Sequence, residues 1–183
     1  MPLSEQEKAE LLTLARRGVE AAVRGERLPE PEDPSGVLTE ERGCFVTLRT
    51  SGRLRGCIGT FRPDRPLGEM IVQMAAAAAT QDPRFTHDRI TSDELPEVSV
   101  HVSVLSPLTP TDEPEKLVLG KHGIYITRGF QGGCFLPEVA TETGWSVEEF
   151  LDQCCTGKAG LPPGAWRDPE TEVYLFTSEK TGE

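Results

Sequence analysis

A β-hairpin in the first half of the chain is the feature that most constrains its fold. Residues 44–48 read "CFVTL", an apolar run rich in strand-forming residues, and the turn-like "TSGR" follows it. A second strand, "RLRGCIGTF", then continues to Phe61. Two strands joined by so short a turn pair antiparallel, so we predict a sheet that contains this hairpin.

Three helices are predicted from local start signals followed by apolar residues at helical spacing. They run from the capping box of Ser4 and Glu7 to about Arg24, from Pro66 to the stop at Asp82-Pro83, and from the capping box of Ser146 and Glu149 to about Cys155.

The remaining strands are also predicted from short patterns. They are the alternating segment Val98 to Val104, "IYIT" after the tight turn "GKHG", Cys134 to Leu136 after the hairpin turn "RGFQGG", and a closing strand from Glu172 to Thr177. Strands in hairpin pairs with helices between the groups indicate the α+β class, with a largely antiparallel sheet and helices packed on it.

The chain of 183 residues suits one domain, or two small lobes that share a core. Residues 26–41 carry three prolines and six acids, which predicts an exposed linker. We therefore assign residues 1–36 to an N-terminal helix and an acidic, proline-rich linker that pack on a domain of residues 37–183.

Composition narrows the functional classes. The formal net charge of −11 disfavours nucleic acid and anionic membranes as partners. No apolar run is long enough to span a bilayer, the N-terminus is polar, and five cysteines are an odd count, so we expect a cytoplasmic protein with free thiols. The cysteines form no C-x-x-C pair, and we predict no metal site and no cofactor.

Cys57 is the main candidate for chemistry. In an unbulged strand it lies on the same face as Arg53, Arg55 and Gly59, while Leu54, Gly56 and Ile58 face the core. A guanidinium nearby favours the thiolate, which is the nucleophilic form, and Gly59 leaves room for a ligand or another backbone. The alternative is a small cysteine packed under a helix, with glycines that serve tight packing.

The arginines near Cys57 also have two interpretations. Five arginines and one acid lie between Arg49 and Arg65, which suits an anionic partner, yet such a cluster is equally consistent with a solvated face or with ion pairs to nearby carboxylates.

Other candidates are less specific. His122, on the glycine-flanked turn, is a candidate acid or base, or else a surface turn residue. Glu138 suits a general base or a helix start, and the helix start is favoured. The segment "DPRF", which includes Arg84, is most simply a helix stop with an ion pair.

The motif "LRGCIGTF" resembles the signature of the AMMECR domain family, whose bacterial and archaeal members are named A components of the AmmeMemoRadiSam system. Further segments occur in the family's order: "GCFVTL", "RPL", "DPRF", "ELPE", "VSVLSP", "GKHGIYI", "LPEVA", "GW", "KAGLPP" and "W". The resemblance covers roughly residues 37 to 178.

The resemblance implies an α+β protein of two unequal lobes, with the cysteine strand lining a cleft. The family's motifs fall on Arg55, Gly56, Cys57 and Gly59, on Asp82 to Phe85 with Arg84, on His122 and Gly123, and on Pro137. Glu138 stands where many members have glutamine, which argues against a base role. A Memo-like protein and a radical SAM protein are the partners implied.

Two functions remain open on these grounds. The first is an enzyme or enzyme subunit that transfers a group on a small anionic substrate, with Cys57 and His122 catalytic and with Arg53, Arg55, Gly56, Gly59 and Arg84 binding the substrate. The second is a non-catalytic module that binds a protein or metabolite through an arginine-rich cleft.

Overall fold

A computed structural model describes residues 2–183, which divide into two units. The first unit contains residues 2–105 and 179–183, and the second contains residues 106–178. In chain order the elements are α1 (Glu5–Arg24), β1 (Cys44–Thr50), β2 (Arg53–Thr60), α2 (Leu67–Thr80), β3 (Val98–Leu105), β4 (Thr109–Pro110), β5 (Gly123–Arg128), β6 (Gln131–Phe135), α3 (Pro137–Thr143), α4 (Val147–Cys154), β7 (Glu172–Phe176) and β8 (Ser178–Gly182).

The first unit is built on a four-stranded sheet in the order β2-β1-β3-β8. Antiparallel pairing joins β1 to β2 on one side and to β3 on the other, which confirms the predicted hairpin. The edge strand β8 lies beyond the predicted closing strand and has no apolar pattern of its own. Its polar sequence, "SEKTG", explains why sequence reasoning did not find it.

A bulge interrupts β2 at Arg55. Leu48 is paired with Gly56 and Arg49 with Leu54, so Arg55 is an extra residue with no partner in β1. The bulge changes which face the residues before it point to, because side chains alternate only along a regular strand. The prediction for Cys57 assumed no bulge, so the faces that it gave for Arg53, Leu54 and Arg55 are wrong. Leu54 is paired with the exposed Arg49 and Arg53 with Thr50, so each lies on the face opposite to the predicted one.

Helix α1 begins and ends as predicted. The Ser4 hydroxyl accepts a hydrogen bond from the Glu7 N–H at 3.2 Å, and the Glu7 carboxylate accepts one from the Ser4 N–H at 2.8 Å. Gly25 ends the helix with a φ of 69°, a left-handed conformation that glycine adopts without strain. The capping box and the glycine fix the bounds of the helix from local chemistry alone.

Helices α1 and α2 pack together and α2 packs on β1 and β2. The buried apolar side chains of these elements form one core with those of β3. Two glycines permit the close approach. A Cβ on Gly18 would lie 2.9 Å from the carbonyl oxygen of Val72, and a Cβ on Gly56 would lie 2.0 Å from that of Ala78.

The segment between α1 and β1 is only partly the exposed linker that was predicted. Val37 and Leu38 are buried in a 3-10 helix, Gly36–Thr39, and both belong to the core of the first unit. The prediction of an exposed linker is wrong at these two residues. The many acids and prolines around them indicated exposure, although both apolar side chains pack in the core.

The second unit has its own four-stranded antiparallel sheet, in the order β4-β7-β5-β6. The predicted hairpin turn lies between Arg128 and Gln131. Helix α4 starts at the predicted capping box of Ser146 and Glu149, then continues into a π-helical turn, Cys155–Ala159, which Gly160 ends. The α+β class is thus confirmed, with two antiparallel sheets.

Replacement of Gly56 by alanine tests the contact between α2 and β2. Because the added Cβ meets backbone that cannot move alone, we expect Gly56→Ala to lower the free energy of unfolding by about 1–3 kcal/mol. Urea denaturation at neutral pH measures the change. Gly157→Ala is the control, since a Cβ there meets nothing within 4 Å. Equal stability of the two variants would contradict the packing described.

Candidate functional site

Cys57 lies on the face of the first sheet that points away from the core. Its partner in β1 is Thr47, whereas the flanking residues Gly56 and Ile58 pair with the buried Leu48 and Val46. The outward direction of Cys57 is therefore confirmed. The thiol is partly buried, and its Sγ lies 3.1 Å from the Thr47 hydroxyl, within hydrogen-bond distance.

The two arginines that precede Cys57, Arg53 and Arg55, form ion pairs with acidic side chains. Arg55 is only 2% exposed, and its Nη1 donates to Glu94 at 2.8 Å. Arg53 donates to Asp88 at 2.6 Å, and Asp88 also lies 3.6 Å from Arg55. The hydrogen bond from Arg55 is the main reason that the pKa of Glu94 falls to about 2. The expectation that Arg55 stands open beside Cys57 is wrong, and the ion-pair interpretation is confirmed.

The two glycines of the motif face parts of the chain itself. A Cβ on Gly59 would lie 2.3 Å from ring atoms of Phe45, its cross-strand partner. Gly56 is covered by the backbone of α2. The expected open space above Gly59 is therefore filled by an aromatic ring, and the tight-packing interpretation describes both glycines.

A buried carboxylate holds the Cys57 backbone. Asp82 is fully buried just after α2, and its Oδ2 accepts a hydrogen bond from the Cys57 N–H at 2.9 Å. Its Oδ1 accepts another from the Arg84 N–H at 3.1 Å and so caps the 3-10 helix Pro83–Phe85. Hydrogen bonds from the Arg84 side chain, and then from these N–H groups, lower the Asp82 pKa to about 2 against the effect of burial. Sequence reasoning gave Asp82 no site role beyond the helix stop.

Arg84 brings the positive charge to Cys57. Its Nε and Nη2 donate to the two oxygens of Asp82 at 3.0 and 2.7 Å, which confirms the predicted ion pair, and Nη2 also donates to the Cys57 carbonyl at 3.3 Å. The side chain is 55% exposed, and its Nη1 makes no hydrogen bond with any residue from 2 to 183. Arg89 donates to the Asp82 carbonyl at 2.9 Å, so the guanidinium groups around Asp82 outnumber the carboxylate.

His122 and Glu138 belong to the second unit, whereas the other candidates belong to the first. The His122 Nδ1 accepts a hydrogen bond from the Val118 N–H at 3.0 Å, which fixes the ring within its turn. Partial burial, then the charge of Lys121, lowers its pKa. Glu138 lies in the first turn of α3, as the helix-start interpretation predicts. A catalytic role for His122 stays a prediction.

Within residues 2–183, no group of three or more histidine, cysteine or acidic side chains is placed to hold a metal ion. The five cysteines are free thiols, and three of them, Cys44, Cys154 and Cys155, are buried. Burial raises the pKa of Cys44 to about 12. No helix in this part of the chain is both long and apolar enough to cross a bilayer.

Comparison with known proteins decides the family. The AMMECR1 family model matches residues 12–181, nearly the whole chain. The chain belongs to the AMMECR1 family. A protein of Methanothermobacter thermautotrophicus is 43% identical over 185 residues, which cover 97% of this chain and 95% of that protein. Protein TK0174 of Thermococcus kodakarensis is 46% identical over 180 residues, or 92% of this chain and 86% of its own.

A solved structure supports the AMMECR1 fold. The crystal structure of the uncharacterized protein PH0010 from Pyrococcus horikoshii is similar to this chain with a TM-score of 0.83 and 38% sequence identity. The similarity covers 94% of this chain and 89% of that one. The expected resemblance to the AMMECR domain family is thereby confirmed, together with the fold class.

The pair of Asp82 and Arg84 predicts a specific pH dependence of stability. The folded-state pKa of Asp82 is about 2, below its ordinary value of 3.8. The stability that the ion pair contributes is therefore fully present above about pH 4 and is lost as the pH falls to about 2. We expect Arg84→Gln to be less stable than the native chain by about 2 kcal/mol at pH 5, and the difference to shrink at pH 2.5.

Urea denaturation at the two pH values measures this difference. Arg65→Gln serves as the control, since it breaks an exposed pair with Asp64 at 3.1 Å that contributes little. A difference between Arg84→Gln and the native chain that is the same at both pH values would show that Asp82 does not depend on Arg84.

Proposed function

We propose that this AMMECR1 protein is a cysteine-dependent enzyme, or the subunit of one, that transfers a group from a small anionic substrate through Cys57. One observation supports this most directly: Arg84 is fixed against the Cys57 peptide, while its Nη1 makes no hydrogen bond among residues 2–183 and its guanidinium lies 5.5 Å from the centre of the Phe85 ring. A guanidinium that has free donors and contacts the peptide of a partly exposed cysteine suits an anionic group on a substrate that reacts at sulfur.

Positioning is the first contribution of the site. The Asp82 carboxylate accepts hydrogen bonds from Nε and Nη2 of Arg84, so the guanidinium is oriented before any ligand binds. The same carboxylate binds the Cys57 N–H, which ties the thiol and the guanidinium to one anchor. An oriented pair of groups lowers the entropy cost of bringing substrate and nucleophile together.

The charge of Arg84 is the second contribution. The thiolate is the form of a cysteine that attacks an electrophile, and the guanidinium at the Cys57 peptide attracts an anionic substrate towards it. The Thr47 hydroxyl, at 3.1 Å from Sγ, donates a hydrogen bond to the sulfur once its proton has left. This hydroxyl also holds the sulfur in a single direction relative to the strand.

The proposed step is acyl transfer from an activated, anionic donor such as an acyl phosphate. The thiol proton goes to solvent, and the sulfur attacks the carbonyl carbon. A C–S bond forms as the C–O bond to phosphate breaks, and phosphate leaves with the electron pair. Arg84 binds the phosphoryl oxygens before and during this step. A second nucleophile then takes the acyl group and restores the thiol.

The partners follow from the family rather than from the site. As an A component of the AmmeMemoRadiSam system, the protein would act in the cytoplasm and pass its product to a Memo-like protein or to a radical SAM protein.

The alternative is a module that binds a partner or metabolite without catalysis. It depended on an arginine-rich surface, and the ion pairs of Arg53 and Arg55 with Asp88 and Glu94 reduce the charge available to an anion. Arg84 alone would then have to supply the binding. The partly exposed thiol of Cys57, the residue whose carbonyl Arg84 contacts, favours the enzyme.

Alkylation with a matched pair of reagents tests the role of Arg84. Iodoacetate is anionic and iodoacetamide is neutral, so the ratio of their rates at Cys57 reports the local charge. We expect this ratio to fall several-fold in Arg84→Gln and to stay unchanged in Arg53→Gln, because Asp88 already neutralises Arg53. Mass spectrometry of the Cys57 peptide gives the rates, with Cys134 as internal reference. The same ratio in all three proteins would sink the proposal.

Trapping of the covalent intermediate tests the reaction. With acetyl phosphate as donor, we expect one acetyl group on Cys57 and none on Cys57→Ser, by intact-protein mass spectrometry. In the alternative, Cys57→Ser keeps partner binding and cellular function, while Arg84→Glu loses both. That second pattern, without any adduct, would favour the binding module.

A further inference from the structure

The first unit contains a cavity of about 530 Å³ that Cys57 does not line. It lies between α2 and the segment that precedes the 3-10 helix Gly36–Thr39. Its volume is in the range of small-molecule sites in proteins. The walls come from residues 27–31, 34, 38 and 39 on one side and from Pro66, Glu69, Val72 and Gln73 on the other.

The outer wall is a fixed part of the fold. We call residues 28–38 the proline arch, since they carry three prolines between two apolar anchors, Leu28 and Leu38. Glu7 ties the arch to α1, because its Oε1 accepts a hydrogen bond from the Val37 N–H at 3.2 Å. Past the arch, the Leu67 N–H donates to the Glu40 carbonyl at 2.8 Å. The cavity is therefore preformed.

Most of the lining is apolar. Val72 and Leu38 are buried at its inner side, and the prolines of the arch present ring carbons and no N–H donors. A Cβ on Gly68 would lie 3.1 Å from the Pro31 ring, so the arch closes tightly over the start of α2. A ligand here must have an apolar body.

Two polar side chains of α2 stand on one side of this lining. Gln73 is partly buried, and its side-chain amide makes no hydrogen bond within residues 2–183. Glu69 is exposed one helical turn before it, and its carboxylate makes no hydrogen bond in the same range. Arg65 is hydrogen-bonded to Asp64, and this bond raises the pKa of Arg65 more than the charge of Glu69 does. Residues four apart lie on one face of a helix, so both groups can reach one ligand.

The other charges of the lining cancel each other. Arg27 donates to Glu30 at 2.5 Å, and both belong to the arch side of the cavity. Glu69 is left as the charge that a ligand can complement. The carbonyl of the Gln73 amide supplies a hydrogen-bond acceptor next to it.

We propose that this cavity binds a small molecule with an apolar body and a primary ammonium group. The body lies against Val72, Leu38 and the arch prolines, and the ammonium binds Glu69 with Gln73 as a second acceptor. The site is separate from Cys57 and does not depend on the function proposed for it.

Titration of three probes with one carbon skeleton tests the proposal. Phenethylamine is cationic, 2-phenylethanol is neutral and phenylacetate is anionic. We expect phenethylamine to bind most tightly and phenylacetate least, as measured by protein-observed NMR titration. Glu69→Gln lowers the affinity for phenethylamine about two- to five-fold, as is typical of an exposed ion pair, and leaves that for 2-phenylethanol unchanged.

Two further variants complete the test. Gln73→Trp places a large side chain in the cavity from a partly exposed helix position, and we expect it to abolish binding of both probes. Glu41→Gln removes one exposed carboxylate outside the lining and is expected to change nothing. The NMR spectrum of each variant confirms its fold. Equal affinity for all three probes, or unaltered amine binding in Gln73→Trp, would overturn the proposal.

Discussion

The buried carboxylate of Asp82 is the interaction on which the organisation of the Cys57 region depends. A carboxylate without solvent is costly unless every oxygen is well hydrogen-bonded. Asp82 meets this condition with the Cys57 N–H, the Arg84 N–H and the Arg84 guanidinium. It thereby joins the end of α2 to the middle of β2. The depressed pKa is the electrostatic sign of this arrangement.

Close packing supports the same junction. Gly56 lets the last turns of α2 lie directly on β2, one residue before Cys57. The bulge at Arg55 then turns that arginine away from Cys57 and into a buried contact with Glu94. Arg53 and Arg55, which are close to Cys57 in sequence, therefore have a structural role. The arginine that contacts the Cys57 peptide is Arg84, 27 residues further along the chain.

Features set by local chemistry were predictable from the sequence. The hairpin, the capping boxes at Ser4 and Ser146 and the outward face of Cys57 depend on residues that are close in the chain, and the structure has them all. The features that were missed are non-local. The bulge at Arg55 and the ring of Phe45 over Gly59 arise from the partner strand, and no pattern within β2 encodes either. Asp82 has a partial signal, since an acid at the end of an apolar helix must find donors when it is buried.

Glu7 serves two parts of the chain with one carboxylate. One oxygen closes the capping box of α1, and the other holds the Val37 N–H of the proline arch. A residue in place of Glu7 that keeps only one of these bonds, such as a shorter acid, would no longer connect the start of α1 to the proline arch. Among relatives, a substitution at Glu7 should therefore be accompanied by a compensating substitution in the proline arch, so that α1 and the proline arch evolve together.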